Sequence, residues 1–300
     1  MCSSDLRWKL VGALFICIGD MRGQRRPMFD RWGDAMAKKD ILHSQFLWEL
    51  CGGVRVEMTT NRRGDDPVLF KRYCELYPYV DDPTYLRQVV QRGLEHYPWS
   101  PGIQCYFCMS HEKRVLLNRA MNHAFAREQR EVLYLHASTD TRGVTMLPQG
   151  MILWRGLDLL CCCRKYESNS PVSGAVYTVL DFTEKAVTVC LHKDYVSEGK
   201  PPEYVLTHKK AASVLRLQFA ICIAAIQGRT FRDVHVGLLD LESPNLTMRD
   251  VITAMSRPTN GKYLHFVSAS EQMRLLAEAR RITDADMEAI ANRGSTRQNV

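Results

Sequence analysis

The sequence lacks any apolar run of the ~18 residues that a membrane-spanning helix requires. It also lacks internal repeats and low-complexity blocks. The apolar stretch at residues 10–18 is not followed by a small-residue cleavage site, which favours a buried strand over a signal peptide. We therefore expect no membrane partner.

Cysteine is not scarce, and its placement is informative. Eleven cysteines are spread over 300 residues, several of them inside apolar runs such as "LFICIG" and "FAICIAAI". This usage is typical of reduced, buried thiols. It predicts an intracellular protein of the nucleus or cytoplasm, not a secreted one. A hydrophobic share of 46% with 24% charged residues is that of a soluble globular protein long enough for two domains.

The charge balance is mildly basic. Lys and Arg number 40 against 33 Asp and Glu, a formal charge of +7. An excess of this sign favours a polyanionic partner such as nucleic acid or nucleotide, although many metabolic enzymes are equally basic.

The order of apolar patterns predicts an α/β fold. The run at residues 11–18 is typical of a strand buried in a parallel sheet, and "KKDILHSQFLWELC" is spaced as an amphipathic helix. Two further helices, "DDPVLFKRYCELY" and "DDPTYLRQVVQRGLEHY", each begin with Asp-Pro, which suits an N-cap and a first turn. A strand at "IQCYFCMS" and a basic helix at "HEKRVLLNRAMNHAFAREQRE" follow. We expect a parallel sheet flanked by helices.

The pattern changes after Pro148-Gln149-Gly150. Short β-branched segments separated by turns predict a small β-rich insertion over residues 150–206. The α/β pattern then returns, and a helical tail begins with Ser268 and Glu271 spaced as a capping box.

Four polar segments each end an apolar run and carry side chains able to hold a phosphate. They are Gly19-Asp20-Met21-Arg22-Gly23-Gln24, Asn61-Arg62-Arg63, Gln227-Gly228-Arg229-Thr230 and Ser256-Arg257-Pro258-Thr259. Open α/β sheets bind ligands beyond the carboxyl ends of their strands, so we expect these segments to converge on one crevice there.

Simpler interpretations remain open for single residues. Arg257 alone is explained as a helix C-terminal arginine that complements the helix dipole, and Gln227-Gly228 alone is a turn. Cys105-x-x-Cys108-x-x-His111 offers zinc ligands, but it lacks a second pair at suitable spacing and lies in a strand pattern. Asp20 suits either a magnesium or water contact or a cap of the following loop.

In their order and surroundings these segments resemble the later motifs of superfamily 1 helicases of the RecD-like and petite-integration-frequency type. "FICIGDMRGQRRPM" is similar to motif III and "VRVEMTTNRRGDDPVLF" to motif IV. "CMSHEKRVLLNRAMN" resembles the strand and helix that follow in domain 2A, and "NSPVSGAVYTV" resembles part of the small β insertion. "FAICIAAIQGRTFRDVHV" resembles motif V and "DVITAMSRPTNGKYLHFV" motif VI.

The resemblance implies an ATP- and magnesium-dependent DNA helicase that acts in DNA replication, repair or recombination. ATP would lie between two RecA-like lobes of the P-loop type. Gln24 would sense the γ-phosphate, and Arg63 and Arg257 would act as arginine fingers, each contributing about a thousandfold to the rate. The implied ATP-binding residues are Asp20, Gln24, Arg63, Gly228 and Arg257. Those implied for single-stranded or forked DNA are Asn61, His111, Gln227, Gly228 and Thr230.

The same resemblance implies a domain plan. Residues 1–48 would be a remnant of helicase domain 1A, residues 49–149 the first part of the RecA-like domain 2A, residues 150–206 an SH3-like β insertion, and residues 207–300 the rest of domain 2A with motifs V and VI.

Several positions depart from the helicase pattern. No G-x-x-x-x-G-K-[ST] phosphate loop occurs, and no acidic pair precedes residue 10 to hold Mg²⁺. Motif III has one extra residue before Gln24, and Cys222 and Ala224 replace the usual Thr and His of motif V. We therefore expect a C-terminal helicase portion, inactive alone, whose domain 1A is supplied by a larger polypeptide. A truncated gene and a decayed copy are the other origins considered.

Two other functions remain open. One is a non-enzymatic nucleic-acid-binding module derived from a helicase. The other is an unrelated α/β enzyme whose arginines bind a phosphorylated small molecule.

Overall fold

The computed structural model describes residues 64–139, 146, 148–163, 170–196 and 201–295. Its helices are α1 (Pro67–Cys74), α2 (Pro83–His96), α3 (His111–Ala126), α4 (His208–Val214), α5 (Met248–Met255), α6 (Ala269–Arg280) and α7 (Asp284–Ser295). Its strands are β1 (Cys105–Cys108), β2 (Leu133–Leu135), β3 (Met151–Leu153), β4 (Asp158–Cys161), β5 (Val176–Phe182), β6 (Ala186–Leu191), β7 (Glu203–Thr207), β8 (Leu215–Leu217), β9 (Ala220–Cys222), β10 (Val236–Leu238) and β11 (Leu264–Phe266). None of the described helices combines the length and apolar character needed to cross a bilayer.

A four-stranded parallel sheet forms the centre of the first layer, in the order β11-β10-β1-β9. Alternate residues of β1 face opposite sides, because side chains alternate along a strand. Phe107 packs with residues of α1, α2 and α5, whereas Tyr106 packs with residues of α3 and α6. The predicted α/β class, a parallel sheet flanked by helices, is confirmed.

The two predicted Asp-Pro helix starts are confirmed. Asp66 accepts hydrogen bonds from the backbone amides at the start of α1, and Asp82 does the same for α2. Pro67 and Pro83 occupy the first helical positions, where no amide hydrogen is needed.

The predicted β-rich insertion forms a five-stranded antiparallel sheet in the order β7-β6-β5-β4-β8. This sheet extends past residue 206, because β8 pairs with β4. The apolar run "VLRLQFAICI" therefore divides between two sheets, with only Gln218 and Phe219 between β8 and β9. The ring of Phe219 stacks on Phe125 of α3 at 5.3 Å and on Trp154 at 6.3 Å.

A buried polar row on α3 joins the parallel sheet to a separate two-stranded antiparallel sheet of β2 and β3. Arg114, Asn118 and Asn122 are spaced by four residues, so they share one face of the helix, and all are fully buried. Asn118 bonds both the N–H and the C=O of Ala220 in β9, at 2.9 and 3.0 Å. Asn122 bonds both backbone groups of Ile152 in β3, at 2.7 and 2.8 Å. Each amide thus completes the backbone hydrogen bonding of a strand residue.

Two histidines contact each other at the amino ends of β10 and β11. Nδ1 of His265 lies 2.7 Å from the carbonyl oxygen of Pro98 and therefore donates a proton to it. Nε2 of His265 lies 2.8 Å from Nδ1 of His235, so one proton is shared between the rings. Burial, together with the charge of His235, lowers the pKa of His265 despite the opposing effect of the Pro98 bond.

We predict that replacing Asn122 with Leu lowers the free energy of unfolding by about 2–4 kcal/mol, because it leaves the buried N–H and C=O of Ile152 unpaired. Urea unfolding of the variant and the wild-type chain measures the difference. Glu128→Ala, at an exposed position just after α3, is the control and should change little. A loss for Asn122→Leu no greater than that of the control would contradict this role.

We predict that the free energy of unfolding decreases as the pH falls below about 6.5, the ordinary histidine pKa. In that range the unfolded chain binds a proton that His265, with its lowered pKa, does not bind in the folded chain. His265→Asn keeps a donor for Pro98 and cannot titrate, so its unfolding should depend less on pH. Denaturation at several pH values tests this, with exposed His96→Asn as the control. Equal slopes for wild type and His265→Asn would refute the assignment.

Candidate functional site

Arg257 follows the C-terminus of α5 and its guanidinium is turned back into the protein. Nε donates to the carbonyl oxygen of Thr253 at 2.9 Å, and Nη2 donates to the hydroxyl of Ser256 at 2.7 Å. Nε also donates to the same hydroxyl at 3.2 Å, and Nη1 donates to the carbonyl oxygen of Arg229 at 3.3 Å, the longest of the four bonds. The side chain is buried, at 7% exposure. These contacts agree with the interpretation of Arg257 as a cap of the helix C-terminus.

The segments that resemble motifs V and VI are paired directly. Phe231 forms a parallel bridge with Pro258. The amide of Phe231 donates to the carbonyl of Arg257 at 3.0 Å, and the amide of Thr259 donates to the carbonyl of Phe231 at 3.2 Å. The predicted convergence of these two polar segments is therefore correct.

The chain that leaves the segment resembling motif IV reaches the same place. Any side chain at Gly64 would collide with the carbonyl oxygen of Thr259, so the two backbones are in contact. Two residues later, the Asp66 carboxylate accepts a hydrogen bond from the amide of Gly261 at 2.8 Å. We call residues 64–66, 229–231 and 257–261 together the loop junction.

The junction does not lie where the sequence predicts it. The expected crevice was beyond the carboxyl ends of the parallel strands, but the Ser256–Thr259 segment ends helix α5 and precedes β11. A helix between two parallel strands runs back across the sheet, so its C-terminus lies at the amino ends of the strands. The expectation of a carboxyl-end crevice is therefore wrong for this segment and for Phe231, which pairs with it.

The motif V loop before the junction is open to solvent. Gln227, Gly228 and Thr230 are all exposed. Gly228 has a φ of 79°, a conformation that favours glycine, and nothing lies within 4 Å of the position of a β-carbon there. Arg229 reaches the antiparallel sheet layer, where its Nη2 donates to the carbonyl of Gly174 at 3.1 Å.

His111 lies elsewhere, at the carboxyl end of β1. It is the first residue of α3, and its Nδ1 lies 3.6 Å from the Cys222 thiol. Burial and the nearby positive charge of Arg114 lower the pKa of His111. The other predicted site residues Asp20, Gln24, Asn61 and Arg63 lie outside the described residues.

An acidic residue that is not among the predicted site residues lies at the carboxyl ends of the strands. Asp240 follows β10, accepts the Met109 amide at 2.7 Å and forms an ion pair with Lys113. Its own amide donates to the Gln272 side chain at 2.6 Å. Lys113, Asp240 and Gln272 border a cleft of about 300 Å³. Like Asp20, Asp240 directly follows an apolar run, in "VHVGLLD", so the sequence carries a signal for it.

In the structure, a cysteine of the spacing that suggested a zinc site is hydrogen-bonded to the protein backbone. The Cys105 thiol donates to the carbonyl of Gln218 at 3.2 Å, and burial raises the pKa of Cys105 to about 12. Zinc requires thiolates, which a pKa this high opposes. Within the described part of the chain, no group of three His, Cys, Asp or Glu residues is placed to hold a metal ion.

The described residues do not assemble a phosphate cradle by themselves. Arg257 is the described cation of the loop junction that the resemblance assigns to phosphate, and its guanidinium donates to oxygens of Thr253, Ser256 and Arg229 in this same chain.

Comparisons with known proteins give a likeness of fold. No protein-family model matches the chain, and no curated protein sequence matches it. Among solved structures, the Bacteroides Pif1 helicase bound to ssDNA covers 70% of this chain at 14% identity, with a TM-score of 0.45 and 51% of its own length matched. The Pif1 helicase from Candida albicans covers 71% at 13% identity, with a TM-score of 0.43 and 58% of its length. The chain thus spans about half the length of these proteins, and likeness of this strength assigns it no activity.

Proposed function

We propose that this chain is the second-lobe portion of an ATP-dependent DNA helicase of the petite-integration-frequency type. In this proposal it supplies Arg63 and Arg257 to a phosphate site held by an N-terminal domain 1A. The observation that carries the proposal is the loop junction. The segments that resemble motifs V and VI pair through their backbones there, and the segment leaving motif IV packs against them. Segments that resembled helicase motifs only by chance would not be expected to contact one another in the structure.

The bonds of Arg257 suggest how it would act. Three of its bonds are to its own helix end, and one links it to the backbone of Arg229. Bound ATP and Mg²⁺ would supply the phosphoryl group and its counterion. A guanidinium exchanging its longest bond for a phosphate oxygen would release the Arg229 backbone. Because that backbone belongs to the exposed motif V loop, nucleotide state and DNA contact would be linked.

The exposed loop suits the DNA part of the proposal. Gly228 lets a nucleic-acid backbone approach closely, and Gln227 and Thr230 offer neutral donors to phosphates and sugars. The net positive charge adds affinity that does not depend on sequence. His111 and Asn61 stay predictions as further contacts.

We predict that the chain fused to an intact helicase domain 1A hydrolyses ATP, and that Arg257→Ala lowers kcat by about a thousandfold or more, because a fixed cation is lost from the transferred phosphoryl group. Steady-state ATP turnover measures this. Arg232→Ala, an exposed arginine near the same loop, is the control. Turnover undiminished in Arg257→Ala would remove the finger role.

The second candidate is a nucleic-acid-binding module without ATP chemistry. The exposure of the motif V loop, together with the burial of Arg257, favours it for the chain alone. In both candidates the chain contacts single-stranded DNA, so ATP turnover by the fusion decides between them.

We predict that the isolated chain binds single-stranded DNA with an affinity that falls steeply as salt rises, and that it does not hydrolyse ATP. Thr230→Glu should weaken binding by about tenfold through charge repulsion with phosphates. Thr84→Glu, an exposed substitution on α2, should not. Fluorescence anisotropy with a labelled oligonucleotide measures both. If neither DNA nor nucleotide binds at low salt, the protein is better explained as an unrelated α/β enzyme.

A further inference from the structure

The carboxylate of Asp66 contacts two separate elements. Its Oδ1 accepts the amides of Val68 and Leu69, at 2.9 and 3.0 Å, and so caps α1. Its Oδ2 accepts the amide of Gly261 at 2.8 Å. Gly261 begins the short 3₁₀ turn Gly261–Tyr263 that leads from the motif VI segment into β11. One side chain therefore joins the start of α1 to the turn after Arg257.

Asp82 provides an internal comparison. It stands in the same Asp-Asp-Pro sequence and caps α2 in the same way, accepting the amides of Thr84 and Tyr85 at 2.8 and 3.0 Å. Within the described residues, its carboxylate has no hydrogen bond from a second element. Capping a helix thus explains Asp82 fully but leaves the Gly261 bond of Asp66 unexplained.

The surroundings of the Asp66–Gly261 bond are closely packed. A β-carbon at Gly261 would lie 3.0 Å from Oδ2 of Asp66 and 3.2 Å from the ring of Tyr97. The Tyr97 hydroxyl accepts a hydrogen bond from Arg72 of α1 at 2.9 Å. Burial would raise the pKa of Asp66, but the three amide bonds and the charge of Arg72 together lower it. The group is therefore a carboxylate, with two acceptor oxygens, at neutral pH.

The position of Asp66 in the chain suggests what this bond does. Asp66 lies three residues after Arg63, and Gly261 lies four residues after Arg257. We propose that Asp66 is a positioning residue that fixes these two arginine-bearing segments to each other, so that both arginines approach one phosphate as a unit. This inference rests on the proposed helicase function for its purpose. The cross-link itself can be tested in the chain alone.

The first test uses Asp66→Ser in the full chain. Serine is as good an N-cap as aspartate, but it is shorter and has a single oxygen, so it cannot also reach Gly261. Amide hydrogen exchange measured residue by residue should be about tenfold faster or more at Gly261, because its acceptor is lost, and nearly unchanged at Val68 and Leu69. Asp82→Ser is the matched control and should leave Gly261 protected. Unchanged protection of Gly261 in Asp66→Ser overturns the positioning role.

The second test uses the fusion to domain 1A. Asp66→Ser should lower kcat for ATP about tenfold with KM unchanged, because arginines placed from the second lobe act on the transition state. A general loss of stability would instead affect Asp82→Ser equally. Equal kcat in wild type and Asp66→Ser overturns the role even if Gly261 exchange changes. A fusion that hydrolyses no ATP overturns the proposed function, while the exchange result still decides whether Asp66 holds the two segments together.

Discussion

The packing of the parallel sheet against the β2–β3 sheet depends on two side-chain amides of α3 that take the place of strand partners. Within the described residues, β9 is at the edge of the parallel sheet and β3 pairs with β2 on one side, so each has backbone groups that no described strand completes. Asn118 and Asn122 satisfy them from one helix, each offering one donor and one acceptor as a strand would. Because an unpaired buried backbone group is costly, α3 can pack in one register only. The register of α3 therefore sets how the parallel sheet and the β2–β3 sheet are placed relative to each other.

The position of the loop junction follows from the same frame. With the parallel order set, the helices between strands return to the amino ends, and the segments before β10 and β11 become neighbours. The junction is then closed by backbone contacts that side-chain identity hardly affects, such as the Phe231–Pro258 bridge. Glycine is required where backbones touch, as at Gly64. The geometry of the junction therefore depends little on the identity of the neighbouring side chains.

Local chemistry made part of this structure predictable. The Asp-Pro helix starts were predictable because a cap needs only its own next few residues, and the strand at "IQCYFCMS" because a run buried on both faces is apolar throughout. The division of "VLRLQFAICI" was not, because an apolar run suits an antiparallel and a parallel sheet equally. Nor does the sequence around Arg257 determine whether its guanidinium turns outward or folds back on its helix. The hydrogen bond from the Gly261 amide to Asp66 joins residues 195 positions apart, which no local sequence pattern can predict.

The two residues between β8 and β9 have a mechanical consequence. A connection of two residues spans at most about 7 Å and cannot act as a flexible linker. Phe219 in that connection is held between Phe125 and Trp154, so its rotation would disturb both layers. The hydrogen bond from the Arg229 side chain to the carbonyl of Gly174 adds a second connection, from the loop junction to the chain before β5. A force applied to the antiparallel sheet would therefore be transmitted directly to the parallel sheet, because the connection between them is stiff.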